Sequence, residues 1–354
     1  MKKTNTKTES WMLEGYSLEQ LLQRDEIMVD SDKQRPYFKN KVILITGAAG
    51  FIGSELARQC AVMSPAKLIL LDQAETPLHE LQLELAEDFP QVEIVYLIRN
   101  ITDRERIFAV LENEKVAVVF HAAAYKHVPL MEHNPIEALR ANVTGTKNVL
   151  DACVANGVGQ FVLISTDKAV RPSSVMGVTK KLAELITLNM QENIKVSVMR
   201  FGNIIGSSGS VFPLFARQIA QEKSLTVTDA KMMRYFMTGR EAVGLVLDAT
   251  VMTRGGEVYI FDMGNPIKIM DLAQSMLQQA GKNLEIILLG VRKGEKYSEA
   301  FHEGEPLYPT GNPFIQYFTQ FTPVEEATIQ DVENLDDTTV TIFLNRFFKS
   351  KAYS

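Results

Sequence analysis

One stretch near the start of the chain narrows its fold more than any other. Val42-Ile43-Leu44-Ile45 is apolar at every position and too short for a helix. Such a run reads as a strand covered on both faces, the habit of parallel sheets. It leads into Thr46-Gly47-Ala48-Ala49-Gly50-Phe51-Ile52-Gly53, and Ser54 to Cys60 continues with helical character. Strand, glycine turn and helix in that order raise a glycine motif above chance. The glycines permit a tight turn and let a pyrophosphate approach the backbone. The helix start offers free N–H groups and the positive end of its dipole.

The alternation then repeats. Residues 67–71 form a second apolar run that ends in Asp72, about 20 residues after the glycines. A carboxylate there can hydrogen-bond the adenosine ribose and repels a 2′-phosphate, which favours NAD over NADP. The competing reading makes Asp72 a cap for the helix starting near Thr76. Residues 92–97 and 116–120 read as further strands. Arg99-Asn100-Ile101 follows the first and His121-Ala122-Ala123-Ala124-Tyr125-Lys126-His127 the second. Asn100 is placed for the adenine edge, and the small Ala122 and Ala123 let the chain pass close to a cofactor. Residues 137–156 read as one helix carrying Asn142 and Asn148. A fifth strand, 161–164, delivers Ser165-Thr166-Asp167-Lys168, and 195–199 is the next. Strands alternating with helices imply an α/β fold, a Rossmann-type doubly wound parallel sheet with ligands at the carboxyl ends of its strands.

The chain has 354 residues, which suits one large or two coupled domains. The reading divides it into an N-terminal arm (1–40), a Rossmann domain (41–202, with a return segment near 239–263), a smaller discontinuous substrate domain (203–238 and 264–309) and a polar tail (310–354). Within the arm, residues 16–23 have helical spacing. A net charge of −6 disfavours nonspecific nucleic-acid binding. Cys60 and Cys153 lack metal-ligand spacing and read as free thiols, and no metal is expected. No apolar run approaches the roughly 18–20 residues that span a bilayer, and the polar start lacks a signal core. A cytoplasmic protein is the expectation, with no membrane segment in this chain.

The chemistry concentrates after the fifth strand. Thr166, Asp167 and Lys168 are followed by Met176-Gly177-Val178-Thr179-Lys180. An acid, amines and hydroxyls fall within sixteen residues, and a methionine stands four residues before a lysine. Later segments add Asn203, the glycine- and serine-rich loop ending at Ser210, and two arginines, Arg234 and Arg292. Either arginine can clamp a diphosphate with paired hydrogen bonds, though each alone reads more simply as a surface charge.

Together these residues resemble the extended short-chain dehydrogenase/reductase superfamily. Within it they look like the UDP-N-acetylglucosamine 4,6-dehydratases of the CapD-like polysaccharide-biosynthesis family. The glycine turn, His121 to Leu130, Asn142-Val143-Thr144-Gly145-Thr146 and Ser165 to Ala169 carry the likeness. So do Arg200-Phe201-Gly202-Asn203, Gly206 to Pro213, Arg234 to Thr238 and Gly294-Glu295-Lys296. Two positions depart from the family pattern: Arg99-Asn100 replaces Gly-Asp, and Lys293 replaces proline. In most of the superfamily a tyrosine occupies the position of Met176. Long family members, which retain configuration at C5, carry methionine.

The resemblance implies an NAD-dependent hydro-lyase acting on UDP-N-acetylglucosamine. It implies cofactor contacts at Gly47, Gly50, Phe51, Ile52, Gly53, Asp72, Asn100, Ile101, Ala122, Ala123 and Lys180. Substrate contacts are implied at Lys126, His127, Asn203, Ser210, Arg234, Arg292, Glu295 and Glu299. A homodimer or larger homo-oligomer, paired through helices near 137–156 and 176–192, is also implied.

Dehydration needs a base at O4, a base at C5 and an acid at O6. Met176 has no exchangeable proton. Asp167 with Thr166 is the expected replacement, and Lys168 the expected C5 base. Lys168 must be neutral for that, which desolvation and neighbouring cations favour. Lys180 is expected at the nicotinamide ribose. The rival readings are a UDP-sugar 4-epimerase on the same fold, which normally needs the tyrosine, and a non-catalytic NAD-binding protein.

Overall fold

The computed structural model describes residues 15–319, 332, 335–336 and 339–349, without the side chains of 347–349. The remaining parts of the expected N-terminal arm and polar tail lie outside the described residues. The chain forms two compact units. The larger takes residues 29–201, 243–262 and the described residues from 300 onward. The smaller takes 15–28, 202–242 and 263–299.

In chain order, α1 (Leu18–Leu22) belongs to the smaller unit and α2 (Ser31–Phe38) opens the larger. Then come β1 (Val42–Thr46), α3 (Phe51–Val62), β2 (Lys67–Asp72), α4 (Glu75–Asp88), β3 (Ile94–Ile98), α5 (Arg104–Glu112) and β4 (Val116–His121). They are followed by α6 (Val128–Glu132), α7 (Pro135–Leu139), a π-helical turn (Arg140–Thr144), α8 (Gly145–Ala155) and β5 (Gln160–Thr166). A 3-10 turn (Asp167–Ala169), α9 (Val175–Asn189) and β6 (Lys195–Phe201) close this half.

The smaller unit resumes with β7 (Asn203–Ile204), α10 (Val211–Ala220), β8 (Leu225–Val227), β9 (Met233–Arg234) and β10 (Phe236–Met237). Helix α11 (Gly239–Met252) carries the chain to β11 (Glu257–Phe261) of the larger unit. β12 (Ile267–Lys268), α12 (Ile269–Gln279) and β13 (Ile286–Leu288) complete the smaller unit. β14 (Tyr308–Pro309), β15 (Ile315–Thr319) and α13 (Val340–Lys349) belong to the larger one.

The larger unit is built on one sheet in the order β14-β15-β11-β6-β5-β4-β1-β2-β3. From β3 to β11 every neighbouring pair is parallel, and β15 and β14 add antiparallel strands. Residues 315–319, within the expected tail, thus extend the sheet. The strand order reverses between β1 and β4, where Thr46 lies opposite His121. A crevice opens at such a switch point because the helices on either side leave toward opposite faces.

The expected single helix over 137–156 is broken. Pro135 starts α7, and residues 140–144 widen into the π turn before α8 begins. The Asn142 side chain explains the pause. Its Oδ1 accepts from the Tyr125 N–H at 2.7 Å, and its Nδ2 donates to the Tyr125 carbonyl and to Thr179 Oγ1, each at 2.9 Å. A π turn admits one extra residue and re-aims the side chains inside it.

Helix α9, the second expected to pair between copies, is buried along residues 175–188 within the chain itself, in contact with α13 among others. The smaller unit has its own core, in which Phe212, Phe215, Phe236 and Met276 pack with Leu21 and Leu22 of α1. Arg24 fixes the arm there, pairing with Glu241 at 2.5 Å and donating to the carbonyls of Phe236 and Met263.

Candidate active site

The ends of β5, β4, β1 and β2 stand side by side along the sheet edge that holds the switch point. At β1, Gly47 has φ +68°, and a Cβ on it would stand 2.5 Å from the Ala123 nitrogen. A Cβ on Gly53 would overlap the Gly47 carbonyl oxygen. The turn is therefore glycine by necessity, pressed between α3 and the chain leaving β4. Ala122 donates to the Thr46 carbonyl at 3.0 Å, which holds Ala122 and Ala123 against the turn. Gly50 caps α3 without a side-chain hydrogen bond, so no side chain satisfies the first N–H groups of the helix there. Phe51 and Ile52 lie partly exposed in the first turn of α3.

Asp72, at the end of β2, braces two turns, and it does not cap α4, whose N-cap is Ala74. Its Oδ2 accepts from the Ala49 N–H and its Oδ1 from the Ala74 N–H, each at 2.9 Å. The negative charge sits beside the glycine turn. Asn100 is exposed, and its Oδ1 accepts from the Thr102 N–H and hydroxyl at 2.9 Å. Ile101 is buried beneath it.

The end of β5 is built from side chains. Asp167 is fully buried. Its Oδ1 accepts from Thr166 Oγ1 at 2.8 Å and from Lys168 Nζ at 3.0 Å, while its Oδ2 has no partner. A buried carboxylate oxygen left open is costly, which marks it as a place where a hydrogen-bond donor is expected. Ser174 caps α9 through the Gly177 N–H, and Glu132 accepts from the Val175 N–H at 2.8 Å. A Cβ on Gly177 would lie 2.5 Å from the Lys168 carbonyl, so glycine lets α9 start against the reactive turn. Met176 is buried in the apolar core of the larger unit.

Lys180, one turn further, is 6% exposed and donates to the Ile164 carbonyl at 2.7 Å. Burial pulls its pKa down to about 8, against the opposing charge of Glu184. His121 bridges Thr46 Oγ1 and Thr146 Oγ1 at 2.7 and 3.0 Å. Burial first, and the Lys180 charge second, bring its pKa down to about 3, so it is neutral. The structure thus gathers Thr166, Asp167, Lys168 and Lys180 around the end of β5, with Ala122 and Ala123 at the end of β4.

Lys126 and His127 are exposed on the chain that follows. Burial, then Lys126, lowers the His127 pKa.

The other candidates belong to the smaller unit. Arg234 is nearly buried and donates to the carbonyls of Met233 and Tyr297 at 2.7 and 3.3 Å. Arg292 is exposed, and its N–H donates to Glu295 Oε2 at 3.2 Å. Ser210 caps α10 with a buried Oγ that has no partner. Asn203 lies on β7, and Glu299 Oε2 is 3.4 Å from Lys296 Nζ.

Sequence reasoning named Asn142 without its role and missed Glu184. Asn142 is the pin of the π turn. Glu184 forms a buried pair with Arg200, at 2.8 Å to Nε and 2.6 Å to Nη2. The signal for Glu184 was its place one helical turn after Lys180, since side chains four apart share a face.

A doubly wound sheet with a glycine turn at β1 and a buried lysine on the helix after β5 defines a short-chain dehydrogenase/reductase. The chain belongs, within that class, to the family of polysaccharide biosynthesis proteins, which matches residues 43–312. It is 45% identical to the capsular polysaccharide biosynthesis protein CapD of Staphylococcus aureus over 83% of this chain and 50% of that protein. The chain therefore spans about half the length of that relative. A UDP-N-acetylglucosamine 4,6-dehydratase (inverting) of Campylobacter jejuni is 36% identical over 74% of this chain and 77% of its own length. A UDP-glucose 4-epimerase of Rickettsia canadensis is 34% identical over 76% and 80%. The crystal structure of Pen from Bacillus thuringiensis superposes with a TM-score of 0.74 at 33% identity, covering 79% of this chain and 90% of Pen.

Proposed function

We propose that the chain catalyses NAD-dependent 4,6-dehydration of UDP-N-acetylglucosamine. The product is a UDP-4-keto-6-deoxy-N-acetylhexosamine for bacterial surface polysaccharide or glycoprotein sugars. The observation that carries this reading is Asp167, a buried carboxylate with one oxygen engaged by Thr166 and Lys168 and the other open. Beside it, the position of the usual tyrosine holds Met176, which cannot exchange a proton. The Campylobacter dehydratase supports the same reaction, and the Staphylococcus capsular protein supports the polysaccharide setting.

The residues present fit a nicotinamide dinucleotide. In the turn of Gly47, Gly50, Phe51, Ile52 and Gly53, only glycine fits at positions 47 and 53, which would let a pyrophosphate approach the backbone, and Asp72 sets a carboxylate beside it. Asn100 and Ile101 are assigned to the adenine, Ala122 and Ala123 to the chain passing the nicotinamide, and Lys180 to its ribose. When bound, the cofactor supplies reversible oxidation at C4 and reduction at C6, so none is consumed.

The chain's own residues move the protons. Asp167, with Thr166, takes the O4 proton and later delivers one to the departing O6 hydroxyl. Lys168 removes the C5 proton, which the C4 ketone has made acidic, and returns a proton to C5 as C6 is reduced. Arg234 and Arg292 are assigned to the diphosphate. Asn203, Ser210, Glu295 and Glu299 are further contacts in the smaller unit, and Lys126 and His127 are sugar contacts in the larger. The reading sets the reaction in the cytoplasm, a reducing compartment in which the buried Cys60 and Cys153 stay thiols.

The test is incubation with UDP-N-acetylglucosamine and NAD, followed by mass spectrometry and NMR of the product at C5. Loss of one water is expected. Asp167→Asn and Lys168→Met are each expected to slow product formation by about 10²–10⁴-fold. Near-normal dehydration in both variants sinks the site. A product of unchanged mass with inverted C4 means an epimerase. Bound NAD with no UDP-sugar turned over means a binding protein.

A further inference from the structure

Behind the proposed proton-handling group lies a buried charge that the reaction does not call on. Glu184 is 1% exposed, one helical turn after Lys180 on α9. Its Oε1 accepts from Ser165 Oγ at 2.5 Å and from Arg200 Nε at 2.8 Å, and its Oε2 accepts from Arg200 Nη2 at 2.6 Å. Ser165 and Arg200 are register partners across β5 and β6. Arg200 also donates to the Phe301 carbonyl at 3.1 Å. One carboxylate therefore joins α9, β5 and β6.

The grip falls at a particular place. Lys180 holds the carbonyl of Ile164, and Glu184 holds the hydroxyl of the next residue, Ser165. Thr166 and Asp167 follow at once. Buried ion pairs are poor devices for stability alone, since apolar residues of the same shape often do better. This one also stands among cations. Arg200 faces Glu184 from β6, and Lys181, 4% exposed, adds its charge from α9.

We propose that Glu184 is a positioning residue of this site: it fixes the end of β5 that carries Thr166 and Asp167, and it supplies the negative charge that keeps Lys180 an ammonium. The proposal rests on the dehydratase reading for its kinetic consequence only. The groups that act on or respond to Lys180 are Glu184, four residues on along the same helix, and the neutral His121 of β4, while Arg200 of β6 is paired to Glu184. Burial already lowers the Lys180 pKa to about 8, and Glu184 is the charge that opposes the fall. Removing it therefore moves the titration of Lys180 to lower pH.

The experiment uses Glu184→Gln, which keeps the shape and an acceptor for Ser165 but loses the charge. Lys180 is followed by NMR in lysine-labelled protein without substrate, its signal identified by its loss in Lys180→Met. The midpoint is expected to fall by at least about one pH unit, a tenfold change in acidity. The alkaline limb of kcat on UDP-N-acetylglucosamine should move the same way, with KM changed less than about threefold. A midpoint within about 0.3 unit of the parent overturns the electrostatic half.

The double variant Glu184→Gln/Arg200→Gln removes both opposed charges and serves if the single variant does not fold. Its midpoint is expected to return toward the parent value, and a midpoint more than about one unit below it overturns the proposal. Ser165→Ala cuts the tether without touching a charge. It is expected to lower kcat about tenfold with the pH limb unmoved, and an unchanged kcat overturns the positioning half. The NMR titration needs no turnover, so a chain inactive on every UDP-sugar would sink the dehydratase reading and leave this test standing.

Discussion

The ends of β1 and β5 lie on the same edge of one parallel sheet, yet they are held by different forces. The glycine turn after β1 is a backbone object. Its shape follows from what is missing, because a single Cβ at Gly47 or Gly53 strikes main-chain atoms. The end of β5 is a side-chain object. Thr166, Asp167, Lys168, Lys180, Glu184 and Arg200 fix it through hydrogen bonds and opposed charges. Steric fit cares little for pH or salt. A buried charge cluster is sensitive to both the loss of one member and the loss of a proton. The two regions should therefore fail differently when perturbed.

The largest thermodynamic effect is expected at β5. Arg200→Leu leaves Glu184 buried without its partner and should cost about 3–5 kcal/mol in urea unfolding. A loss under about 1 kcal/mol would mean that charge does not organise this end. Gly53→Ala should cost less, about 1–3 kcal/mol, by forcing the turn away from α3. It should weaken nicotinamide-dinucleotide binding in calorimetry while leaving the Lys180 titration where it was. A shifted titration would show that the two ends are coupled and erase the distinction.

His121, between the two regions, sharpens the contrast. Its folded pKa of about 3 lies below the ordinary value, so the unfolded chain takes up its proton first. Its contribution is complete above about pH 6.5 and is lost as pH falls toward 3, by up to about 1.4 kcal/mol per pH unit. Thermal melts should show the parent losing stability more steeply than His121→Gln over that window. The smallest effect is expected from Arg140→Ala. Its exposed pair with Glu137 should be worth less than about 0.5 kcal/mol, within the scatter of melts.

The contrast also explains what could be read in advance. The strands of the parallel sheet announce themselves as apolar runs, and the run at 42–45 becomes β1 with one residue added. The glycine turn is a local pattern and was legible for the same reason. The break within 137–156 was not, because the lone Gly145 that follows it does not by itself fix a break inside a helical pattern. It follows from Asn142 reaching Tyr125, a contact that exists only once the chain is folded. Arg200 carried a motif, but its bond to Glu184 spans sixteen residues and joins a helix to a strand, so no local spacing encodes it. Strand β15 was hidden by its own polarity. Gln316 and Thr319 are exposed, while Ile315 and Phe318 turn inward.

That strand has a consequence for how the protein is made. β11 pairs with β6 on one side and with β15 on the other. On the ribosome β11 emerges well before residues 315–319. Until they follow, its outer row of amides and carbonyls is an open edge, ready to pair with any extended chain nearby. A nascent chain stalled before Ile315 is thus a sticky intermediate, and the final hairpin is what makes the product safe to release.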